Sequence, residues 1–136
     1  MVVVDACVAI SWVAPHSTED EVYGERVSTL GRMVPRSLIA PVIMPDECCH
    51  ALLTRSRRER WSKSRLRSAA DLIEQHAVGL LKQRKTMSDR ALFALEANVQ
   101  GYDAHYLSLA IDTGAAIATM DKGLRAAAAR LNVPIF

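Results

Sequence analysis

Val2-Val3-Val4-Asp5, within the opening stretch MVVVDACVAISWVA (residues 1–14), sets three β-branched residues directly before an acid. An unbroken apolar run of that kind reads as a strand buried on both faces, the position strands take in a parallel sheet covered by helices. Ala6–Ala14 continues as a short apolar helix that stops near Pro15. The alternation then repeats outward along the chain. Thr18 with Glu21 makes a capping box and opens a helix whose inner face is Tyr23, Val27, Leu30 and Val34. Ser37–Val42 reads as a second strand, and Pro45 suits the first turn of a helix running from about Asp46 into the arginines. Ser62 opens another, with Leu66, Ala69, Ala70, Ile73 and Ala77 on one side. Leu80–Gln83 is a third strand candidate. Ser88–Val99 reads as a helix with Leu92, Leu95 and Val99 inward, ended by Gly101. Asp103 begins the next helix, carrying Leu107, Ala110 and Ile111 and capped by Gly114. Ala115–Thr119 is a buried strand, Lys122–Leu131 a short helix and Val133–Phe136 a last strand. The expected fold is α/β: a three-layer α/β/α, doubly wound, mostly parallel sheet of four to five strands, in a single domain over residues 1–136.

Composition agrees. The 136 residues are 50% hydrophobic and 24% charged, enough for an ordinary core and incompatible with a disordered or collagen-like chain. No run reaches the roughly 18 apolar residues of a membrane span. The opening stretch lacks the basic segment of a signal peptide, and Asp5 interrupts it. Three cysteines make no disulfide framework, so a cytoplasmic, reducing location is expected. Net charge is only +2, but it is unevenly spread. Residues 1–53 hold seven acids and three bases, residues 54–67 one acid and seven bases.

In an open parallel sheet, ligands bind beyond the carboxyl ends of the strands. Asp5 follows the first strand directly, and Asp121 follows Ala115–Thr119 after one residue. Glu47 and Asp103 lie in the first turns of helices, some of which start at the same edge. Any one of these acids can be a helix cap or a turn residue; Asp46 reads as a cap or solvated neighbour. Together they place four carboxylates where mutual repulsion would raise their pKa values and a divalent cation would relieve it. Hard oxygen donors suit Mg²⁺ or Mn²⁺.

Arg55, Arg57, Arg58, Arg60, Lys63, Arg65 and Arg67 surround Trp61 in TRSRRERWSKSRLR (residues 54–67). Beside an acidic metal site this stripe reads as a candidate RNA-backbone surface; alone it would be a solvated face. Trp61 can stack on a base or pack between helices. Cys48-Cys49-His50 has no C-x-x-C spacing, which rejects zinc. Met33, Met44, Met87 and Met120 look like core filling.

Val3-Val4-Asp5, Pro41 and Pro45 ahead of Glu47, Tyr102-Asp103-Ala104-His105-Tyr106-Leu107-Ser108-Leu109-Ala110, and Thr119-Met120-Asp121-Lys122-Gly123-Leu124 together resemble the PIN-domain ribonucleases, and specifically the VapC-like toxins of prokaryotic toxin–antitoxin pairs. The likeness spans nearly the whole chain. It implies Asp5, Glu47, Asp103 and Asp121 as the metal-holding, catalytic acids, with Asp5 and Asp103 as direct ligands and the other two direct or through water. Thr119 takes the family's hydroxyl position near the metal. Two positions depart from the family: Cys7 stands where Ser is usual, and His50 where Asn is usual. Both adjoin the acids; His50 could give Asp5 the hydrogen bond the Asn would, and it can also titrate. The resemblance implies a Mg²⁺- or Mn²⁺-dependent endoribonuclease leaving 5′-phosphate and 3′-hydroxyl ends. It implies also a cognate antitoxin and a homodimer, for which Ala6–Ala14 and Tyr23–Val34 offer apolar residues needing cover. The rival expectation is a PIN-like module that binds RNA or a protein partner without cutting, resting on Cys7 and His50. A phosphoacceptor receiver domain fails for want of an Asp ending a mid-chain strand.

Overall fold

The structure, a computed structural model, covers residues 1–136. Four strands, β1 (Val2–Val4), β2 (Leu38–Pro41), β3 (Gly79–Leu81) and β4 (Ala116–Ala118), form one sheet in the order β3-β2-β1-β4, and every pairing is parallel. Seven helices connect and cover them: α1 (Ala6–Ser11), α2 (Thr18–Met33), α3 (Met44–Glu59), α4 (Lys63–Glu74), α5 (Met87–Ala97), α6 (Gly101–Thr113) and α7 (Lys122–Arg130). The expected doubly wound α/β architecture is therefore present. The fifth strand shrinks to a single parallel bridge between Ile135 and Ile117. The third begins one residue earlier than expected, at Gly79, and all three of its residues are exposed at the sheet edge.

Successive side chains of a strand point to opposite faces, and here both faces are filled. Val3, Ile39 and Ile117 join the larger core with Leu52 of α3, Ile73 of α4, Tyr106 and Leu107 of α6 and Leu124 of α7. Val2, Val4, Leu38 and Ala118 join a smaller core under Val27 of α2. This is why the strands read as unbroken apolar runs. Val3 and Val4 are wholly buried, each contributing about 1.5–3 kcal/mol relative to exposure.

Several boundaries move for local reasons. Ser17, not Thr18, caps α2, its hydroxyl accepting from the Asp20 amide at 3.1 Å. Gly114, at φ 65°, closes α6 as expected. Asn98, not Gly101, ends α5 in the left-handed region, and Gly101 is the first residue of α6. Leu92 and Leu95 of α5 do not face inward but are exposed, as are Val34, Met33 and Met87; among the four methionines taken as core, Met44 alone is buried and Met120 is half-buried. Ala6, Val8, Ala9 and Ile10 of α1 are buried within the chain, while Trp12 and Val13 after them and Tyr23 and Leu30 of α2 are half-buried.

Candidate active site

The register of the sheet brings the first acid to its neighbours. Val4 pairs with Ala118, so Asp5 and Thr119 leave the carboxyl edge side by side, and the Asp5 amide donates to the Ala118 carbonyl at 3.0 Å. Asp121 follows two residues later as the N-cap of α7, where its Oδ1 accepts from the Leu124 amide at 2.7 Å. Gly123 allows that closeness, since a Cβ there would lie 3.2 Å from Asp121 Oδ1. Glu47 sits in the first turn of α3 after Pro45. Asp103 sits in the first turn of α6, whose N-cap is Gln100, so Asp103 is not spent on capping.

All four acids, with Cys7, His50 and Asp46, line one cleft of about 880 Å³. Thr119, fully buried, ties two of them together: its hydroxyl donates to Asp5 Oδ2 at 2.6 Å and accepts from the Asp121 amide at 3.1 Å. The Cys7 thiol donates to the same Asp5 Oδ2 at 3.0 Å, and its sulfur accepts from the Met120 amide at 3.4 Å. Burial, and then the Asp5 charge, push that thiol up to about 12; it stays a donor at neutral pH. The Tyr106 hydroxyl, on a fully buried side chain, donates to Glu47 Oε1 at 2.8 Å. Nothing in the sequence pattern had singled out Tyr106 for this. The available signal was its place three residues after Asp103, on the same helical face.

Each acid keeps an oxygen without a protein partner. Asp5 Oδ2 is bonded twice while Oδ1 is not, and no buried side-chain oxygen is left unsatisfied, so Oδ1 opens to the cleft. Glu47 Oε2 and Asp121 Oδ2 are likewise free, and the Asp103 carboxylate makes no hydrogen bond. The charges feel one another. Burial, then the charges of Asp5 and Asp121, raise Asp103 to about 6. Burial also raises Glu47, against the lowering effect of the Tyr106 hydroxyl and with the charges of Asp5 and Asp103.

The PIN domain family model matches residues 2–130. The chain belongs to the PIN domain family. The structure titled "Crystal structure of PAE2754 from Pyrobaculum aerophilum" shares its fold, with TM-score 0.70 and 19% identity over 93% of this chain and 78% of that one. None of the curated proteins matches.

The remaining residues of this PIN domain divide. His50 lines the cleft, is exposed and makes no hydrogen bond to Asp5. Cys7 and Thr119 hold that carboxylate instead. Arg55 is committed within the fold: it pairs with Glu59 at 2.8 Å and donates to the Ala14 carbonyl at 3.0 Å. Arg57, Arg58, Arg60, Lys63, Arg65 and Arg67 are exposed. Trp61 packs against the larger core, donates to Glu59 and lies 4.4 Å beneath the Arg65 guanidinium, so it serves the helix junction. Cys48 is buried against Met44 while Cys49 is exposed.

Proposed function

We propose that this PIN domain, a nuclease-type fold, is a metal-dependent endoribonuclease and the toxin component of a VapBC-type toxin–antitoxin pair. The observation that carries the reading is the meeting of Asp5, Glu47, Asp103 and Asp121, from four separate elements, at one cleft on the carboxyl edge of the sheet. The donor set fits a hard divalent cation: carboxylate oxygens only, each acid with one free, and a repulsion already visible at Asp103. As positioned, no three His, Cys, Asp or Glu side chains are gathered tightly enough to hold an ion jointly. The chemistry a bound Mg²⁺ or Mn²⁺ supplies is an acidified water and a counter-charge for the leaving oxygen of an RNA phosphodiester.

The chain's own residues do the positioning. Asp5 and Asp103 would hold the ion directly, and Glu47 and Asp121 directly or through water. Thr119 and Cys7 fix the plane of the Asp5 carboxylate, and Tyr106 fixes that of Glu47. A hydrogen-bonded neighbour of this kind sets both the orientation of a ligand and its basicity. The partners in this reading are RNA, an antitoxin that places a basic side chain among the acids, and a second copy of the chain. Met87, Leu92 and Leu95, exposed on α5, offer that copy an apolar surface. Three free cysteines suit the cytoplasm.

The test is cleavage of a mixed cellular RNA pool by antitoxin-free protein with Mn²⁺, with Mg²⁺ and with EDTA, beside Asp5→Asn. Discrete products with either metal, absent with EDTA and in the variant, are expected. Intact RNA in every lane, from folded protein, would favour the module that binds without cutting. The observation on that side is His50, which stands where the family usually has Asn and makes no hydrogen bond to Asp5.

A further inference from the structure

We infer that Lys82, Arg90 and His105 hold a backbone phosphate of the RNA beside the acid cleft, an inference that rests on the ribonuclease reading and moves the backbone path off the Arg57–Arg67 stripe. A hollow of about 290 Å³ opens where β2 and β3 end, walled by Val42, Leu81 and these three side chains. It shares Ile43 and Asp46 with the acid cleft, so the two adjoin.

The hollow's cations are uncommitted. None of the three ion pairs in the molecule uses Lys82 or Arg90. Neither side chain makes a hydrogen bond, nor does the His105 ring. Neighbouring Lys85, by contrast, is engaged with Ser108 and Asp112. His105 follows Asp103 by two positions on α6, and residues so spaced do not share a helix face. Asp103 lines the cleft and His105 lines the hollow, about 3 Å apart along the axis. The hollow's cations and the acids are neighbours across Ile43 and Asp46, which line both, so a strand bound at the acids meets positive charge in the adjoining hollow. Arg57–Arg60, ten to thirteen residues beyond Glu47 on α3 and its cap, lie roughly 15–20 Å further along that helix. The chemistry fits phosphate: a planar guanidinium for paired hydrogen bonds, an ammonium as a point charge and an imidazole N–H.

The experiment measures binding of a fluorescein-labelled, mixed-sequence single-stranded RNA oligonucleotide in EDTA, by anisotropy at several salt concentrations between 50 and 200 mM. Wild type is compared with the double variant Lys82→Ala/Arg90→Ala and with the triple variant Arg57→Ala/Arg58→Ala/Arg60→Ala. Both sets remove exposed side chains that make no hydrogen bond or ion pair. The double variant is expected to bind about tenfold more weakly at low salt, with a log–log salt slope flatter by about 1.4, from two phosphate contacts at about 0.7 each. The triple variant should keep wild-type affinity and slope, and Lys82→Arg/Arg90→Lys should recover most of the loss. Wild-type affinity in the double variant, or loss confined to the triple one, overturns the proposal. Metal-dependent cleavage of cellular RNA is scored in parallel. Binding that depends on Lys82 and Arg90 without cleavage keeps the phosphate site and overturns the nuclease; cleavage at subsaturating RNA undiminished in the double variant does the reverse.

Discussion

Asp103 is the residue on which the electrostatics of the site can be read in solution. Burial and the charges of Asp5 and Asp121 raise it to about 6, above its unfolded value near 3.9. The folded chain therefore binds more protons than the unfolded chain between about pH 4 and pH 6. In metal-free protein the stability falls as pH rises through that window and levels off above it. Full burial would make the loss about 3 kcal/mol; with the carboxyl half-exposed, solvent screening reduces it to about 1 kcal/mol. Urea unfolding in EDTA across pH 4–8 should show this fall, and Asp103→Asn should flatten it, with Glu47 adding a smaller slope of the same sign. At this scale the sequence was readable in part. An acid placed directly after an apolar strand has no packing role, and that exposed Asp5 and Asp121 to inspection. Tyr106 and the engagement of Arg55 were not readable, because each depends on which side chain from a distant segment arrives opposite it.

The elements show the same division between local and distant causes. Strands β1, β2 and β4 were legible because burial on both faces leaves a continuous apolar run. Strand β3, three exposed residues at the sheet edge, carries no such mark. Helix α5 was legible as a helix but not in its orientation: periodicity reveals an apolar face without saying whether the chain's own core covers it. That helix packs chiefly on α6 and is held at its start by a reciprocal cap, Thr86 accepting from the Asp89 amide and Asp89 from the Thr86 amide. With so little burial to support it, the cap weighs heavily. Thr86→Ala should cost about 1 kcal/mol, and hydrogen exchange should rise across Met87–Ala97 before it rises in β1 or β4.

Over the whole molecule, a net charge of +2 conceals an acidic cleft adjoining a basic hollow. The cleft is built at a cost in repulsion among its acids, so any ligand that removes the repulsion is linked to folding. Saturating Mn²⁺ or Mg²⁺ at about 100 times its Kd should stabilise the protein by about 2.7 kcal/mol. A thermal melt with and without metal checks this: the midpoint should rise for wild type and stay unmoved for Asp5→Asn.

Asp5 and the hydroxyl that positions it are 114 residues apart, and β1 lies between β2 and β4 in the sheet. The order of synthesis and the order of assembly therefore differ. During synthesis Asp5 and the Cys7 thiol beside it precede Thr119, so the Asp5 carboxylate gains its second hydrogen bond only when the segment bearing Thr119 follows and docks. A nascent or prematurely terminated chain holds Asp5, Glu47 and even Asp103 but lacks Thr119, the side chain that joins Asp5 to Asp121. For a protein whose proposed activity would injure the cell that makes it, this topology delays the assembled site until translation has passed β4.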